Sequence, residues 1–505
     1  MKKIISILLC LCMVLPLLTG CRSESPESYV PTGDALVMED DEGAQKVQVD
    51  ENQSLSLAFY PDGRMNPLSS SNYTNRMIFP LVYQSLFAVN RENAVVPILC
   101  ESYTVSADHR TYEFTIDSQA TFSDGTAVTA QDVVASLSKA WGHSFFAGRF
   151  QHISGYWATE AGTLIITLNI PIGDLPRMLD IPVVKASEVE NEFPIGSGPY
   201  IFGGTEENRF LSRRSNWWCE SNDLLINAQR IPLKEASSPT EVRDYFEFDD
   251  VGVVCTDPGS DRYVEYRCDY ELWDCETGMF LYVGFNVNSS LFKQVGMRQA
   301  VIKGIDRAKL VDTYYRGFAT VAELPASVNS PYYTPSLAQN YSYNQEDFKN
   351  LVSNHGAVGW TIRLLVNAGD SLRVKVAQEI GRMLNASGLI VSVVAVDADT
   401  FNHMLKTGDF DLYLGQTKLS PNMDISAFFS ENGSLCFGGT ADITAYNMCL
   451  QALENEGNYY ALHQTVMDNA LICPLLFRSY AVYAARGLVT QLQPARDNLF
   501  FYTIA

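Results

Sequence analysis

The chain reads Thr111-Tyr-Glu-Phe-Thr-Ile116 and then Phe122-Ser-Asp-Gly-Thr-Ala-Val-Thr-Ala-Gln-Asp-Val-Val134, a stretch in which three kinds of local structure follow one another. The first six residues alternate polar and apolar side chains, which predicts a strand with one buried face. Asp124-Gly125 is a turn signal. Thr129 and Asp132 have the spacing of a capping box, so we expect a helix to begin there. This part of the chain therefore mixes strands and helices.

The same alternation continues in the second half of the chain. Residues 360–366, 389–396 and 409–415 are apolar, β-rich runs, and each predicts a strand. Between the first two runs, residues 371–384 carry apolar side chains on one stripe, as an amphipathic helix does. Strands that alternate with helices are typical of layered α/β domains. The fold class predicted from the residues alone is therefore α/β.

Four further blocks give the chain a family resemblance. They are Leu81-Val-Tyr-Gln-Ser-Leu-Phe87, Val96-Pro-Ile-Leu-Cys-Glu-Ser102, Pro194-Ile-Gly-Ser-Gly-Pro-Tyr200, and Gly284-Phe-Asn-Val-Asn288 with the following Met297–Arg307 segment. In order and spacing, these blocks and the stretch quoted first resemble the oligopeptide/dipeptide-binding family (family 5) of ABC-transporter extracellular solute-binding proteins. The resemblance covers about residues 55–502.

The resemblance implies a two-lobed, periplasmic-binding-protein-like α/β fold of type II, with an inserted subdomain and a ligand cleft between the lobes. The expected parts are lobe I at residues 53–78, 186–278 and 476–505, the inserted subdomain at residues 79–185, and lobe II at residues 279–475. Chain crossings near Met279–Phe285 and Cys473–Phe477 would then form the hinge.

The first 20 residues have the layout of a secretory signal peptide. Lys2 and Lys3 precede an apolar run from Ile4 to Leu18, which is shorter than the about 20 residues needed to span a bilayer. The ending Leu18-Thr-Gly-Cys21 resembles a bacterial lipobox, which implies that the thiol of Cys21 is lipidated. An ordinary signal peptide or an uncleaved anchor, with Cys21 incidental, is the alternative.

Residues 21–52 predict a tether. They are polar and acidic, so they cannot bury enough apolar surface to fold, and like charges keep such a segment extended. More than one fatty chain is needed for stable attachment to a bilayer. We therefore expect a protein outside the cytoplasm, lipid-anchored through Cys21 to the bacterial cell membrane.

The length, composition and net charge of the chain limit the classes of function that it can have. A chain of 505 residues exceeds one core and indicates two or three domains, and 47% hydrophobic residues indicate a folded globular body. The formal net charge of −22 argues against nucleic acid and against adhesion to anionic lipid. After the signal, no apolar run is long enough to span a membrane.

Eight cysteines follow Cys21, and none of them forms a C-x-x-C pair, which argues against a zinc ribbon or a thioredoxin-like site. Export permits disulfides, and Cys255, Cys268 and Cys275 are close enough in sequence for one. Buried free thiols would give the same pattern, so both alternatives stay open.

The sequence carries no catalytic constellation. The six histidines are scattered, and H-E-x-x-H, G-x-S-x-G and Walker motifs do not occur. With 58 acidic residues, a pair of carboxylates at glycosidase-like spacing would arise by chance. We therefore predict a binding protein without enzymatic activity, cofactor or metal site.

A peptide is a suitable ligand for such a protein, because an extended backbone can be held like an added strand. The chain is aromatic where the family's cleft lies, with Tyr60 and Tyr73 near the start and Phe280 and Tyr282 at the crossover. Phe280 and Tyr282 lie on one face of the expected strand, and we expect that face to meet the ligand. For each of the four, core packing is the alternative.

One segment departs from the family pattern. Peptide-binding relatives usually anchor the ligand amine with an aspartate in a Trp-x-x-Asp-Tyr segment, and here the segment reads Gly415-Gln-Thr-Lys-Leu-Ser-Pro-Asn-Met-Asp424. The tryptophan position is occupied by Thr417, and the aspartate falls near Ser420-Pro421. Asp424 would take over the anchor by a small shift, or it only caps the turn that follows. Without a carboxylate partner, a buried ammonium is costly.

The resulting hypothesis is a monomeric, lipid-anchored solute-binding protein that captures oligopeptides and delivers them to ABC permease subunits. It closes around the ligand by a hinge motion. One alternative is the same fold with another cargo, a nickel chelate or a glycan, although His403 alone is weak support for nickel. Two others are a receptor lipoprotein that senses peptide without importing it, and an exported hydrolase.

Overall fold

A computed structural model describes residues 55–219, 228–260, 262–489 and 492–502. The predicted signal peptide, the predicted tether and the predicted lipidation site at Cys21 lie outside the described residues. No helix in the described part of the chain is long and apolar enough to cross a membrane.

The strands of the described residues are numbered in chain order. They are β1 Leu57–Phe59, β2 Gln84–Ser85, β3 Phe87–Val89, β4 Val95–Pro97, β5 Cys100–Val105, β6 Thr111–Ile116, β7 Ile153–Ala158, β8 Leu164–Leu168, β9 Pro182–Val183, β10 Tyr200–Gly203, β11 Phe210–Arg213, β12 Arg230–Glu235, β13 Val253–Thr256, β14 Tyr270–Phe285, β15 Ala319–Val321, β16 Thr361–Asn367, β17 Ile390–Val396, β18 Leu412–Lys418 and β19 Ile472–Ala485.

The α-helices of the described residues are referred to by their bounds. They are Tyr73–Arg76, Phe79–Val82, Ala130–Ala140, Ala147–Phe150, Pro239–Glu247, Val295–Gly304, Arg307–Tyr314, Pro335–Ala338, Gln345–Asn354, Ser371–Asn385, Ala398–Thr407, Ile443–Glu454 and Tyr459–Asp468. The predicted capping box is present, since the carboxylate of Asp132 accepts from both the N–H and the hydroxyl of Thr129, at 2.9 and 2.6 Å.

Two long antiparallel strands, β14 and β19, connect the two lobes. The first half of β14 pairs with β19 beside lobe I, where β19 also pairs with β13. The second half of β14 pairs with β18 of lobe II. The strand order of this sheet is β10-β11-β12-β1-β13-β19-β14-β18-β16-β17, with β15 added on β19. The α/β, two-lobed prediction is confirmed.

The crossing between the lobes contains a break in strand pairing. The register of β14 against β19 shifts between Glu276 and Met279. Gly278 lies in this break with φ +67°, and a Cβ on it would come within 2.1 Å of the guanidinium of Arg496. Both the backbone angle and the close approach favour glycine here. The chain therefore bends between the lobes with Arg496 packed over the bend.

Each lobe has its own apolar core. One core joins the second half of β14 to β16, β18 and the helices of lobe II. The other joins lobe I to the inserted subdomain, whose main sheet has the order β5-β6-β8-β7. The eight cysteines after Cys21 are all described, and all are free thiols. Of the two alternatives left open for these cysteines, the structure shows the free thiols. The exact lobe bounds stay a prediction, because β14 and β19 serve both lobes.

Candidate ligand-binding cleft

Two adjoining cavities lie where the inserted subdomain meets lobe II and the C-terminal segment. The main chamber has a volume of about 520 Å³, and it is lined by residues within 144–152 of the subdomain and within 417–435 of lobe II. The small cavity has a volume of about 90 Å³ and extends to residues 496–498 near the C-terminus. Phe145 and Arg149 line both cavities. The two spaces therefore form one candidate cleft.

The subdomain reaches lobe II through the helix Ala147–Phe150. A Cβ built on Gly148 in this helix would lie 3.2 Å from the Cβ of Ser420 in lobe II, which is closer than ordinary van der Waals contact. Glycine lets two backbones approach in this way. The helix therefore closes one side of the main chamber against the loop that follows β18.

Side chains also bond directly across the cleft. Nε2 of His152 lies 2.8 Å from Oδ2 of Asp424, and Nε2 of Gln151 donates to Oγ of Ser426 at 3.0 Å. His152 and Gln151 belong to the subdomain, whereas Asp424 and Ser426 belong to lobe II. The inserted subdomain and lobe II are therefore in direct contact across the cleft.

Asp424 lines the main chamber, but its carboxylate already has two partners. The side chain is 3% exposed, and Oδ1 accepts a hydrogen bond from the N–H of Ser426 at 2.8 Å, at the start of the short 3₁₀ helix Ser426–Phe428. Asp424 therefore bonds to the backbone of the turn that follows it. Its role as an amine anchor stays a prediction, and a ligand amine would have to displace His152 to reach Oδ2.

Lys418, at the end of β18, crosses from lobe II to the C-terminal segment. Its Nζ donates to both carboxylate oxygens of Asp497, at 2.7 and 2.6 Å, and to the carbonyl of Thr277 at 2.6 Å. The same Nζ lies 4.3 Å from the ring centroid of Phe145 in the subdomain. This one cation therefore contacts lobe II, the hinge, the C-terminal segment and the subdomain.

Three arginines surround this pair and line the small cavity. Arg149 forms a two-pronged ion pair with Asp180. Arg496 donates to the carbonyls of Leu419 and Ser420. The third, Arg76, donates to two loop carbonyls, and its guanidinium carbon lies 3.4 Å from the centroid of the Phe145 ring.

Burial and mutual repulsion disfavour the charge on most of these cations. Burial lowers the pKa of Lys418 to about 8 and that of Arg76 to about 10, and the positive charge of Arg149 adds to both effects. Burial and Arg149 likewise lower the pKa of Arg496. For Arg149 itself, burial opposes the charge, but the pairing with Asp180 outweighs it and raises the pKa.

The other predicted ligand contacts lie elsewhere. Phe280 and Tyr282 are 0% and 2% exposed in the core of lobe II. The ring of Tyr73 packs against that of Tyr480 at a tilt of 31°, with a centroid distance of 3.7 Å, and Tyr60 packs at the edge of a small lobe I cluster. Neither cavity is lined by any of these four residues, all of which are described. Their contact with ligand stays a prediction.

Sequence reasoning overlooked the cations that line the cleft. Lys418 stands in the segment that was compared with the family's tryptophan motif, and Arg496-Asp497 stands in the C-terminal tail. The signal available was a lysine at the end of a strand that begins with the apolar residues Leu412–Leu414. No sequence spacing connects Lys418 with Arg76 or Arg149, because distant segments bring them together.

The described residues contain no group of three or more histidine, cysteine, aspartate or glutamate side chains placed to hold a metal ion. The imidazole of His152 has a single carboxylate partner, Asp424, at 2.8 Å.

Comparison with known proteins agrees with this architecture. Residues 94–434, more than half of the chain, match the family model described as bacterial extracellular solute-binding proteins, family 5 Middle. The glutathione-binding protein GsiB of Escherichia coli (strain K12) is 24% identical over 354 residues, which cover 66% of this chain and 67% of GsiB.

Two solved structures share the fold at low identity. One is the periplasmic murein tripeptide binding protein MppA in its unliganded open form, with a TM-score of 0.74, 17% identity, and 90% of this chain and 98% of MppA covered. The other is NikA from Brucella suis in complex with Fe(III)-EDTA, with a TM-score of 0.69, 18% identity, and 88% and 98% covered. The chain belongs to family 5 of the bacterial extracellular solute-binding proteins.

Proposed function

We propose that this protein captures oligopeptides outside the cell and delivers them to an ABC permease, while a lipid on Cys21 holds it at the membrane as a monomer. As a member of its family, the chain is an extracytoplasmic solute-binding component that works with an ABC permease, and it is not an enzyme. The peptide cargo, the lipid and the monomeric state are the parts that we add.

The observation that carries the peptide proposal is the lining of the main chamber. Its volume of about 520 Å³ is in the range of small-molecule sites. Serine and asparagine side chains line the lobe II side, at Ser426, Ser430, Asn432 and Ser434. Such donors and acceptors suit a peptide backbone, which presents both along its length. Asp424 on the same wall offers a carboxylate for a ligand amine.

The relatives are compatible with a small peptide cargo. The name of GsiB refers to glutathione, and that of MppA to a murein tripeptide. The NikA structure holds Fe(III)-EDTA instead. Peptide and metal chelate are therefore the two cargo classes that an experiment must separate.

Native mass spectrometry of protein produced in a peptide-rich medium distinguishes a peptide cargo from a metal chelate. We expect a series of adducts that denaturation resolves into short peptides, and their masses give the length range. A single non-peptide mass, or an adduct that carries nickel or iron, would contradict the peptide cargo and leave the family assignment intact. The matched control is the same protein after unfolding, dialysis and refolding, which should carry no adduct.

The anchor has a separate test. Metabolic labelling with a fatty acid should label the wild-type protein and place it in the membrane fraction. Cys21→Ser should lose both the label and the membrane association, whereas Cys12→Ser in the apolar run should keep them. An unlabelled wild-type protein would contradict lipidation without affecting the peptide proposal.

A further inference from the structure

The small cavity is walled by more positive than negative charge. Arg76, Arg149 and Arg496 line it, and the carboxylates on its wall are Asp180 and Asp497. Asp180 is held by Arg149, and both oxygens of Asp497 are held by Lys418. The two carboxylates are therefore already engaged by two of the four cations in and beside the cavity.

The remaining two arginines are less closely paired, because the nearer carboxylate, Asp497, is bonded to Lys418 and only influences them from a greater distance. Arg76 is 7% exposed, and no carboxylate of the described residues lies within 4 Å of it. The side chain of Arg496 is 6% exposed, its Nε has no hydrogen-bond partner, and the Asp497 oxygen lies 3.9 Å from that atom. Glu276 also acts electrostatically on Arg496, but its carboxylate bonds to Asn329 and Ser327.

A network that only joined the lobes would be expected to balance its charges. Burial of a charge without a counter-charge is costly, and groups so placed are paired or bound to an ion. Arg76 and Arg496 instead donate only to carbonyls, which leaves a net positive wall. An anion in the cavity would supply a counter-charge to the two arginines, whose pKa is lowered first by burial and then by the positive charge of Arg149.

The size of the cavity sets the size of that anion. A volume of about 90 Å³ accommodates a few waters, or one carboxylate in their place. Because Phe145 and Arg149 line the main chamber too, a group in the small cavity continues into the larger space. Arginine suits such a group, since its planar fork matches the two oxygens of a carboxylate.

We propose that the small cavity is the recognition site for a carboxylate of the cargo, held by Arg76 and Arg496, while the body of the cargo occupies the main chamber. This inference deepens the proposed function and rests on it for the statement that the cargo is a peptide. The carboxylate is then the C-terminus or an acidic side chain of that peptide. Asp424, at the other wall of the main chamber, would then hold its amine in place of His152.

The test compares two peptide libraries of the same tri- to pentapeptide composition, one with free C-terminal carboxylates and one with C-terminal amides. The purified protein, freed of bound solute, is incubated with each, and native mass spectrometry identifies the peptides retained. We expect retention of the free acids to exceed that of neutral amides at least tenfold. Amides that contain Asp or Glu should be retained more than neutral ones.

Variants of the two arginines test whether the preference for free acids over amides arises in the small cavity. Arg76→Gln and Arg496→Gln should each reduce retention of the free acids at least tenfold and bring it near that of the amides. Arg243→Gln is the matched control, because Arg243 lies on the surface helix Pro239–Glu247 and pairs with Asp244. The acid-to-amide comparison in the wild-type protein needs no variant, so poor folding of a variant does not remove the test.

The possible outcomes distinguish the proposed carboxylate site from the proposed peptide cargo. Equal retention of acids and neutral amides would overturn the carboxylate site and leave peptide capture standing. Binding of citrate or inorganic phosphate, lost in Arg496→Gln, with no peptide retained, would support an anion site and overturn the peptide cargo. Retention of none of these probes would contradict both.

Discussion

The carboxylate of Asp497 should be among the most sensitive single charges for the stability of this protein. Both its oxygens accept from Lys418, its side chain is 7% exposed, and Arg496 lies 3.9 Å away. Asp497→Asn keeps the shape of the side chain and removes its charge. Asparagine also tolerates the backbone angle at this position, φ +57°. The substitution therefore isolates the electrostatic contribution.

The expected cost follows from the burial of the pair. Removal of one partner from a buried ion pair costs about 3–5 kcal/mol, because the other charge loses its compensation. The low end of this range applies here, since the amide oxygen still accepts one hydrogen bond and Lys418 keeps the carbonyl of Thr277. We expect the free energy of unfolding to fall by about 3 kcal/mol.

The matched control is Asp250→Asn, which breaks the exposed pair of Asp250 with Lys234. The two side chains of this pair are 48% and 43% exposed, and such pairs contribute about 0–1 kcal/mol. Urea unfolding, followed by tryptophan fluorescence and circular dichroism, measures both variants. A loss in Asp497→Asn no larger than in Asp250→Asn would refute the reasoning. Lys418→Gln added to Asp497→Asn should recover part of the loss, because it removes the uncompensated cation.

Three further outcomes are expected. Burial lowers the pKa of His463 to about 3, so below pH 6.5 the unfolded chain gains a proton at this residue that the folded chain does not. Between pH 7 and pH 5 in urea unfolding, the free energy of unfolding of His463→Leu should therefore fall by about 2 kcal/mol less than that of the wild type. Equal losses would contradict this. The side chain introduced by Gly148→Val should collide with Ser420. We expect peptide binding measured by calorimetry to weaken at least tenfold, with little change in the urea midpoint of unfolding. Unchanged affinity would contradict the contact. Asp424→Asn should weaken binding of free-amine peptides more than of N-acetylated ones, whereas the helix-cap variant Asp442→Asn should affect both equally; no difference would exclude the anchor.

Local structure was largely predictable, because it depends on nearby residues. The strand predicted at 111–116 has those bounds, and the helix predicted at 371–384 is observed as Ser371–Asn385. The apolar run from Ile78 to Leu86 has no turn signal after Pro80 and predicts one helix, but this prediction is wrong for most of its length, since only Phe79–Val82 is helical. Strand β2 follows at Gln84–Ser85 because it pairs with β9, almost a hundred residues later. No local pattern reports such a pairing.

The cleft was much less predictable. The aromatic alternation at Phe280 and Tyr282 correctly indicates a strand, but it does not tell which face is covered. β14 is a central strand, with β18 on one side and β19 on the other, and both of its faces are buried. The cavity walls come instead from strand ends and loops, where Lys418 and Arg496 meet only in the folded chain. Their charges are visible in the sequence, but their proximity is not.

The contacts between the lobes limit what a ligand can contribute. In this structure His152 already satisfies Asp424, and Lys418 already satisfies Asp497, across the surfaces that a ligand would enter. A ligand favours the closed form only by the difference between its own contacts and the contacts that it replaces. A peptide amine at Asp424 replaces the existing contact with His152, so only the difference between the two contacts adds to closure. A carboxylate near Arg76 and Arg496 displaces no hydrogen-bonded carboxylate, because Arg76 and Arg496 donate only to carbonyls and Asp497 lies 3.9 Å from Arg496. The larger share of the free energy that drives closure should therefore come from the negative end of the cargo.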